Sequence, residues 1–195
     1  MNFTATEFWN WFGDFSHRLS MNHIPDYLQD TLLAKLHEYD RRLYFLLSTN
    51  ATPREFIVSA DGNSAAFDSV DALVDAAPRL DDWTFISLKP PQGFAFTHSD
   101  GPISIDVSQL RFALTKSKET PPRFGVILYI PNIDFVLEHQ SVDTAYTILE
   151  TGVGERRCTD VIARLTVDDP PGDLTGHPSL PIARLSDWLA SQTGG

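Results

Sequence analysis

The chain is poor in cysteine, in positive charge and in long apolar runs, and each shortage excludes something. Its only cysteine is Cys158. A lone cysteine closes no intrachain disulfide, so nothing points to an oxidising compartment. With one thiol and no H-E-x-x-H, a structural zinc site is excluded, and no metal or cofactor is expected. Val126 to Ile130, an apolar run as long as any in the chain, stops at Pro131, far short of the ~20 apolar residues that span a bilayer. The segment Met1 to Glu7 has neither a basic start nor an apolar stretch before small residues, so it does not read as a signal peptide. A cytoplasmic protein without a membrane partner is the expectation.

Lys and Arg number 15 against 26 Asp and Glu, a net charge of -11. The deficit is even: residues 1–97 carry 7 basic and 13 acidic side chains, and 98–195 carry 8 and 13. No basic cluster exceeds a pair such as Arg156-Arg157. Phosphate backbones are bound by clustered Lys and Arg, so nucleic acid is not an expected partner. The same charge keeps a protein soluble and suits it to a basic partner.

What is present is an ordinary globular composition, 42% hydrophobic and 21% charged over 195 residues. That is enough chain for a core without covalent staples, and the whole of 1–195 reads as a single domain. Thr4 and Glu7 have capping-box spacing. Phe8, Trp11, Phe12, Phe15 and Leu19 then follow helical periodicity over 5–19. A second helix is expected over 26–39, where Leu28, Leu32, Leu36 and Tyr39 recur on one face after Pro25. Trp9 lies off the first helix's stripe. One stripe cannot hide so many aromatics, so Trp9 is a candidate contact for a partner or a second copy.

The pattern changes after residue 41. Strands are expected at 43–48, 55–60 and 83–89, with a helix at 66–77 ended by Pro78. The order recurs: strands at 110–115 and 124–130, a helix at 141–151, and a strand at 160–167. Segments 41–92 and 108–167 thus both read strand, strand, helix, strand. Residues 168–181 read as a loop and 184–191 as a terminal helix. The fold class expected is α+β (or α/β), with a mixed sheet in two such halves behind the helical segment 1–40.

Catalytic motifs are scarce. There is no G-x-S-x-G elbow. Gly152-Val153-Gly154 follows a helix, where a phosphate loop must precede one, so the glycines read as helix caps. Cys158 beside Arg156 and Arg157 has the charge setting of a reactive thiolate, or is simple core filling. Asp68, Asp71 and Asp75 share one helix face, which is either a solvated side or a docking face for a basic protein. If strands 55–60, 83–89 and 124–130 are parallel, Asp61, Asn63, Lys89 and Asn132 line their C-terminal ends, where open α/β sheets bind ligands. Two function classes remain. One is a non-catalytic acidic interaction protein, an adaptor or immunity-type binder for which a homodimer is also compatible. The other is a small-molecule enzyme using carboxylates such as Asp61 or Glu155.

Three stretches carry a resemblance. They are Glu55-Phe-Ile-Val-Ser-Ala-Asp-Gly62, the run from Phe67 through Val70, Leu73, Val74, Ala77-Pro78 and Leu80 to Trp83, and Leu88-Lys89-Pro90. With Ile148-Leu149-Glu150-Thr-Gly-Val-Gly154-Glu155, they resemble a group of uncharacterised bacterial proteins over about residues 40–167. The resemblance implies a bacterial cytoplasmic protein and carries no activity or catalytic residue.

Overall fold

The computed structural model of the chain describes residues 3–19, 24–48, 51–101, 103–116, 123–131, 138–173 and 178–193. The fold is α+β, with mixed sheets and two helices at its N-terminal end. The chain falls into two compact units, 1–90 and 91–195, each with its own apolar core.

In the first unit, α1 (Ala5–Ser16) starts at a complete capping box. The Glu7 carboxylate accepts from the Thr4 amide and hydroxyl at 2.8 Å each, and Thr4 Oγ1 accepts from the Glu7 amide. These bonds hold the Glu7 carboxyl below its usual pKa. Helix α2 (Asp26–Tyr39) buries the Leu28, Leu32 and Leu36 stripe. The sheet is β1 (Tyr44–Ser48), β2 (Arg54–Ser59) and β3 (Trp83–Ser87), in that order. β1 and β2 are antiparallel; β2 and β3 are parallel. Helix α3 (Phe67–Asp75) makes the crossover between the parallel pair. Pairing Phe45 with Val58 and Phe56 with Phe85 puts alternate residues on one face. That face packs on Phe8, Phe12, Leu32, Leu36 and Leu73. Burying each such side chain contributes about 1.5–3 kcal/mol. Leu46, Ile57 and Ile86 share a row on the opposite face.

The second unit opens with a hairpin, β4 (Thr97–Asp100) and β5 (Ile103–Asp106). Its main sheet has the order β8-β7-β6-β9. β6 (Arg111–Lys116) and β7 (Phe124–Tyr129) are antiparallel, and β7 is parallel to β8 (Ile162–Asp168). Two helices, α4 (Glu138–Val153) and α5 (Glu155–Val161), fill that crossover. β9 (Leu180–Pro181) adds a short fourth strand, and α6 (Leu185–Thr193) follows. Phe112, Leu128, Ile130, Ile148 and Leu149 are among the largest side chains sealed in this core.

The expected strand, strand, helix, strand order is therefore present in both halves, with the same connectivity: an antiparallel pair, then a helical crossover to a strand parallel to the second. Mixed pairing is realised once in each half rather than in one continuous sheet. Three local readings are corrected. The β4–β5 hairpin is additional; its strands of four residues alternate too briefly to stand out. The strand expected at 160–167 starts two residues later, because Glu155 to Val161 is helix α5 and buries Glu155, Cys158 and Val161 at helical spacing. Two residues of the expected 168–181 loop, Leu180 and Pro181, pair with β6. Of the segment between the strands expected at 110–115 and 124–130, residues 117–122 lie outside the described residues.

Candidate functional site

The candidate ligand edge of the first unit is where β2 and β3 end. After Ser59 the chain turns through Ala60-Asp61-Gly62-Asn63, closed by the Asn63 amide donating to the Ala60 carbonyl at 3.0 Å. Asp61 and Gly62 both have positive φ, 50° and 76°, as in the tight turns that favour Asp and Gly. The buried Ser59 hydroxyl accepts from the Asp61 amide at 3.0 Å and fixes the turn. Next, the Asn63 side chain accepts from the Ala65 amide at 3.2 Å and caps a short 3-10 turn leading into α3.

On the neighbouring strand end, Leu88 also has a positive φ, 59°. That is uncommon for a branched side chain. Its amide donates to the Val58 carbonyl at 2.8 Å, and its side chain is 2% exposed. Burial and this bond hold the strained backbone. The turn directs Lys89 back across the edge, and its Nζ reaches Asp61 Oδ1 at 2.9 Å. Arg42, just before β1, lies at the same edge of the sheet, since Tyr44 pairs with Ser59. Its guanidinium donates to the Ala65 carbonyl at 2.8 Å and pairs with Asp40 at 2.5 Å. The Arg42 hydrogen bonds hold the Asp40 carboxyl well below the usual carboxylate range, against the opposing effect of burial, with Ser69 adding a further bond. The Arg42 guanidinium is held more firmly protonated in turn.

Of the four edge residues read from the sequence, Asp61 and Lys89 meet, and Asn63 stands beside them as a cap. Asn132 lies outside the described residues. Arg42 and Asp40 escape the sequence reading. Their only signal is a charge pair beside a strand start, which ordinary surface chemistry produces as often.

The expected docking face is split. Asp68 and Asp75 are exposed on α3. Asp71, between them, is half-buried and accepts a short hydrogen bond from the Ser87 hydroxyl, tying α3 to β3. Trp9 is not a surface residue: it is 3% exposed. Its indole N–H donates to the Leu73 carbonyl at 2.6 Å, and its ring lies 4.4 Å from that of Phe85. Phe56 and Phe85 of the sheet and the Leu73 carbonyl of α3 enclose it, so the off-stripe tryptophan is core, while Thr6, Glu7, Asn10 and Asp14 form the exposed side of α1.

In the second unit the carboxylate and the thiol of interest are interior. Glu155 is 0% exposed and Cys158 2%. Cys158 packs with Val161, Ile162 and Leu149 in the core, so the reactive-thiolate setting is not met; Arg156 is exposed. Gly154, with φ 87°, follows α4 as a C-terminal cap, its amide donating to the Glu150 carbonyl at 2.9 Å. Gly152 serves another purpose: a Cβ there would overlap the Phe94 ring. Among the described residues no group of His, Cys, Asp and Glu is arranged to hold a metal ion. No helix among them is long and apolar enough to cross a membrane.

No family model, curated protein or solved structure matches the chain.

Proposed function

We propose that this chain is a non-catalytic acidic interaction protein of the bacterial cytoplasm, an adaptor or immunity-type binder that docks a basic protein. The observation that carries this reading is the excess of 26 acidic over 15 basic side chains, with Asp68 and Asp75 open on α3. Neither has an ion-pair partner among the described residues. A basic surface brought to α3 would neutralise charge that the fold leaves uncompensated, and steering by the net charge of -11 would speed its arrival.

The test is affinity capture from native cytoplasm by wild type and by Asp68→Asn/Asp75→Asn, with salt elution. A stoichiometric basic protein held by the wild type, released by salt and weakened at least tenfold by the double substitution is expected. Equal retention by both proteins overturns the α3 face. Retention that salt leaves unchanged overturns the electrostatic reading, because exposed charges are screened within a Debye length of about 8 Å at physiological ionic strength.

A second reading has one specific observation behind it. Two non-glycine residues have positive φ at the ends of parallel strands, Asp61 within the ion pair to Lys89 and Leu88 beside it. Strained backbone of this kind gathers at ligand sites. In that reading Asp61 is the working carboxylate of a small-molecule enzyme, and Glu155, sealed in the other unit, is not. Turnover lost in a folded Asp61→Asn protein would decide for it.

A further inference from the structure

We infer that β1 is a self-pairing edge, through which two copies of the chain join their first-unit sheets. β1 stands at the end of the order β1-β2-β3, and among the described residues it is laddered only to β2. Natural edge strands are blunted by charge, proline or a bulge. Tyr44-Phe-Leu-Leu-Ser48 has no charge and no proline, and its pairing to β2 runs without a shift. Its side chains are also unusually bare. Tyr44 is 46% and Leu46 44% exposed, and Tyr27 on neighbouring α2 is 61% exposed. These are three of the five large apolar side chains exposed among the described residues. A shallow groove lined by Asp30, Leu33, Tyr44 and Phe45 runs between α2 and the strand.

The occupant is a second copy, on two grounds. The strand is self-complementary about a two-fold axis at Leu46. Antiparallel pairing there sets Leu46 on the partner's Leu46 and Tyr44 beside the partner's Ser48 on one face. Phe45 meets the partner's Leu47 on the other, where both are half-buried. Like apolar pairs in that geometry stabilise a ladder. The charges flanking the sheet are also complementary in this orientation. At the end where β1 begins stand Asp40, Arg41, Arg42, Asp61 and Lys89, with a basic excess of one. At the other end stand Arg54, Glu55, Asp81 and Asp82, with an acidic excess of two. Antiparallel joining places unlike ends together; parallel joining would place like ends together.

The long-range charge works the other way. Each copy carries -11, so the copies repel until salt screens them. Self-association through β1 therefore tightens as salt rises, whereas a basic partner at α3 is released by it. Failure of one proposal is thus distinguishable from failure of the other.

The experiment is sedimentation equilibrium of the full chain from about 1 µM to 1 mM, at low and high salt. The wild type is compared with Leu46→Lys, which alters an exposed side chain, and with the Leu46→Val control. A concentration-dependent dimer, tighter at high salt, is expected. It should be weakened at least tenfold by Leu46→Lys and less than threefold by Leu46→Val, with circular dichroism unchanged in both. Hydrogen exchange at 44–48 should slow on dimerisation. A monomer throughout overturns the inference and leaves the edge to an extended segment of another protein. A dimer that Leu46→Lys leaves intact, or one without slowed exchange at 44–48, overturns β1 as its interface. If Leu46→Lys does not fold, the exchange measurement on the wild type decides alone.

Discussion

Asp61 and Lys89, 28 positions apart in the sequence, meet at 2.9 Å across the ends of two parallel strands. The backbone has positive φ on both sides of the contact, in Asp61 itself and in Leu88 beside Lys89. The contact is a product of the turns more than their cause. Asp61 is 66% exposed at its side chain, and such pairs contribute roughly 0–1 kcal/mol.

Backbone conformation therefore matters more than the ion pair at this edge. Asp61→Gly and Asp61→Ala both remove the ion pair, but only glycine accepts φ near 50° without strain. The glycine variant should be more stable than the alanine variant by about 1 kcal/mol in urea titration. Equal stabilities would mean that the turn relaxes when its carboxylate is gone.

Asp40 gives a pH signature. Its carboxyl titrates lower in the folded chain than the ~3.9 of an unfolded Asp. The folded protein thus binds fewer protons there near pH 3–4. The stability this confers is complete above the unfolded value and is lost as pH falls through the folded one. Asp40→Asn should cost about 1 kcal/mol at pH 7, and the gap to wild type should narrow steadily below about pH 4. A gap that holds constant from pH 7 to pH 2 would assign the loss to packing instead.

Gly152 is held by the ring of Phe94. Gly152→Ala should destabilise by about 1–3 kcal/mol, despite placing a better helix former in the last turn of α4. Trimming the ring should recover part of that loss. The double variant Gly152→Ala/Phe94→Leu should be clearly more stable than the sum of the single effects implies. Simple additivity in thermal denaturation would mean that ring and helix do not limit each other's approach.

Strand β7 is apolar along its length, yet its two faces are not equally buried. Leu128 is 0% exposed and should cost about 2–5 kcal/mol as alanine. Ile127 is half-buried on the face opposite the helices, and Ile127→Ala should cost about half as much. Chemical denaturation of the two variants side by side reads the difference directly.

The elements with strong periodicity were legible in the sequence. The Leu28, Leu32, Leu36 stripe and the Thr4–Glu7 box announced two helices, and the pattern from Phe67 to Ala77 announced the crossover. The repeated order of elements was legible for the same reason. What escaped was what a one-dimensional pattern does not encode. Trp9 reads as surplus on a single stripe, and only the sheet at Phe56 and Phe85 together with α3 at Leu73 makes it core. The Asp68, Asp71, Asp75 face reads as uniform, yet the Ser87 hydroxyl draws its middle member inward. The candidate edge was half legible, because Asp-Gly after a strand signals a turn, whereas nothing local to Leu88 signals a left-handed residue.

The connectivity shared by the two units has a consequence for the order in which each folds. Ser48 pairs with Glu55 across a connection of only a few residues, and Lys116 pairs with Phe124 at similar range. Arg54 and Trp83, in contrast, are brought together across the whole of α3, and Phe124 and Ile162 across both α4 and α5. Closing the longer loops costs more chain entropy and yields no contacts until the crossover helix has docked. Each unit should therefore set its antiparallel hairpin early and its parallel strand late. Substitutions in β2 or β7 should slow folding, while those in β3 or β8 should chiefly hasten unfolding.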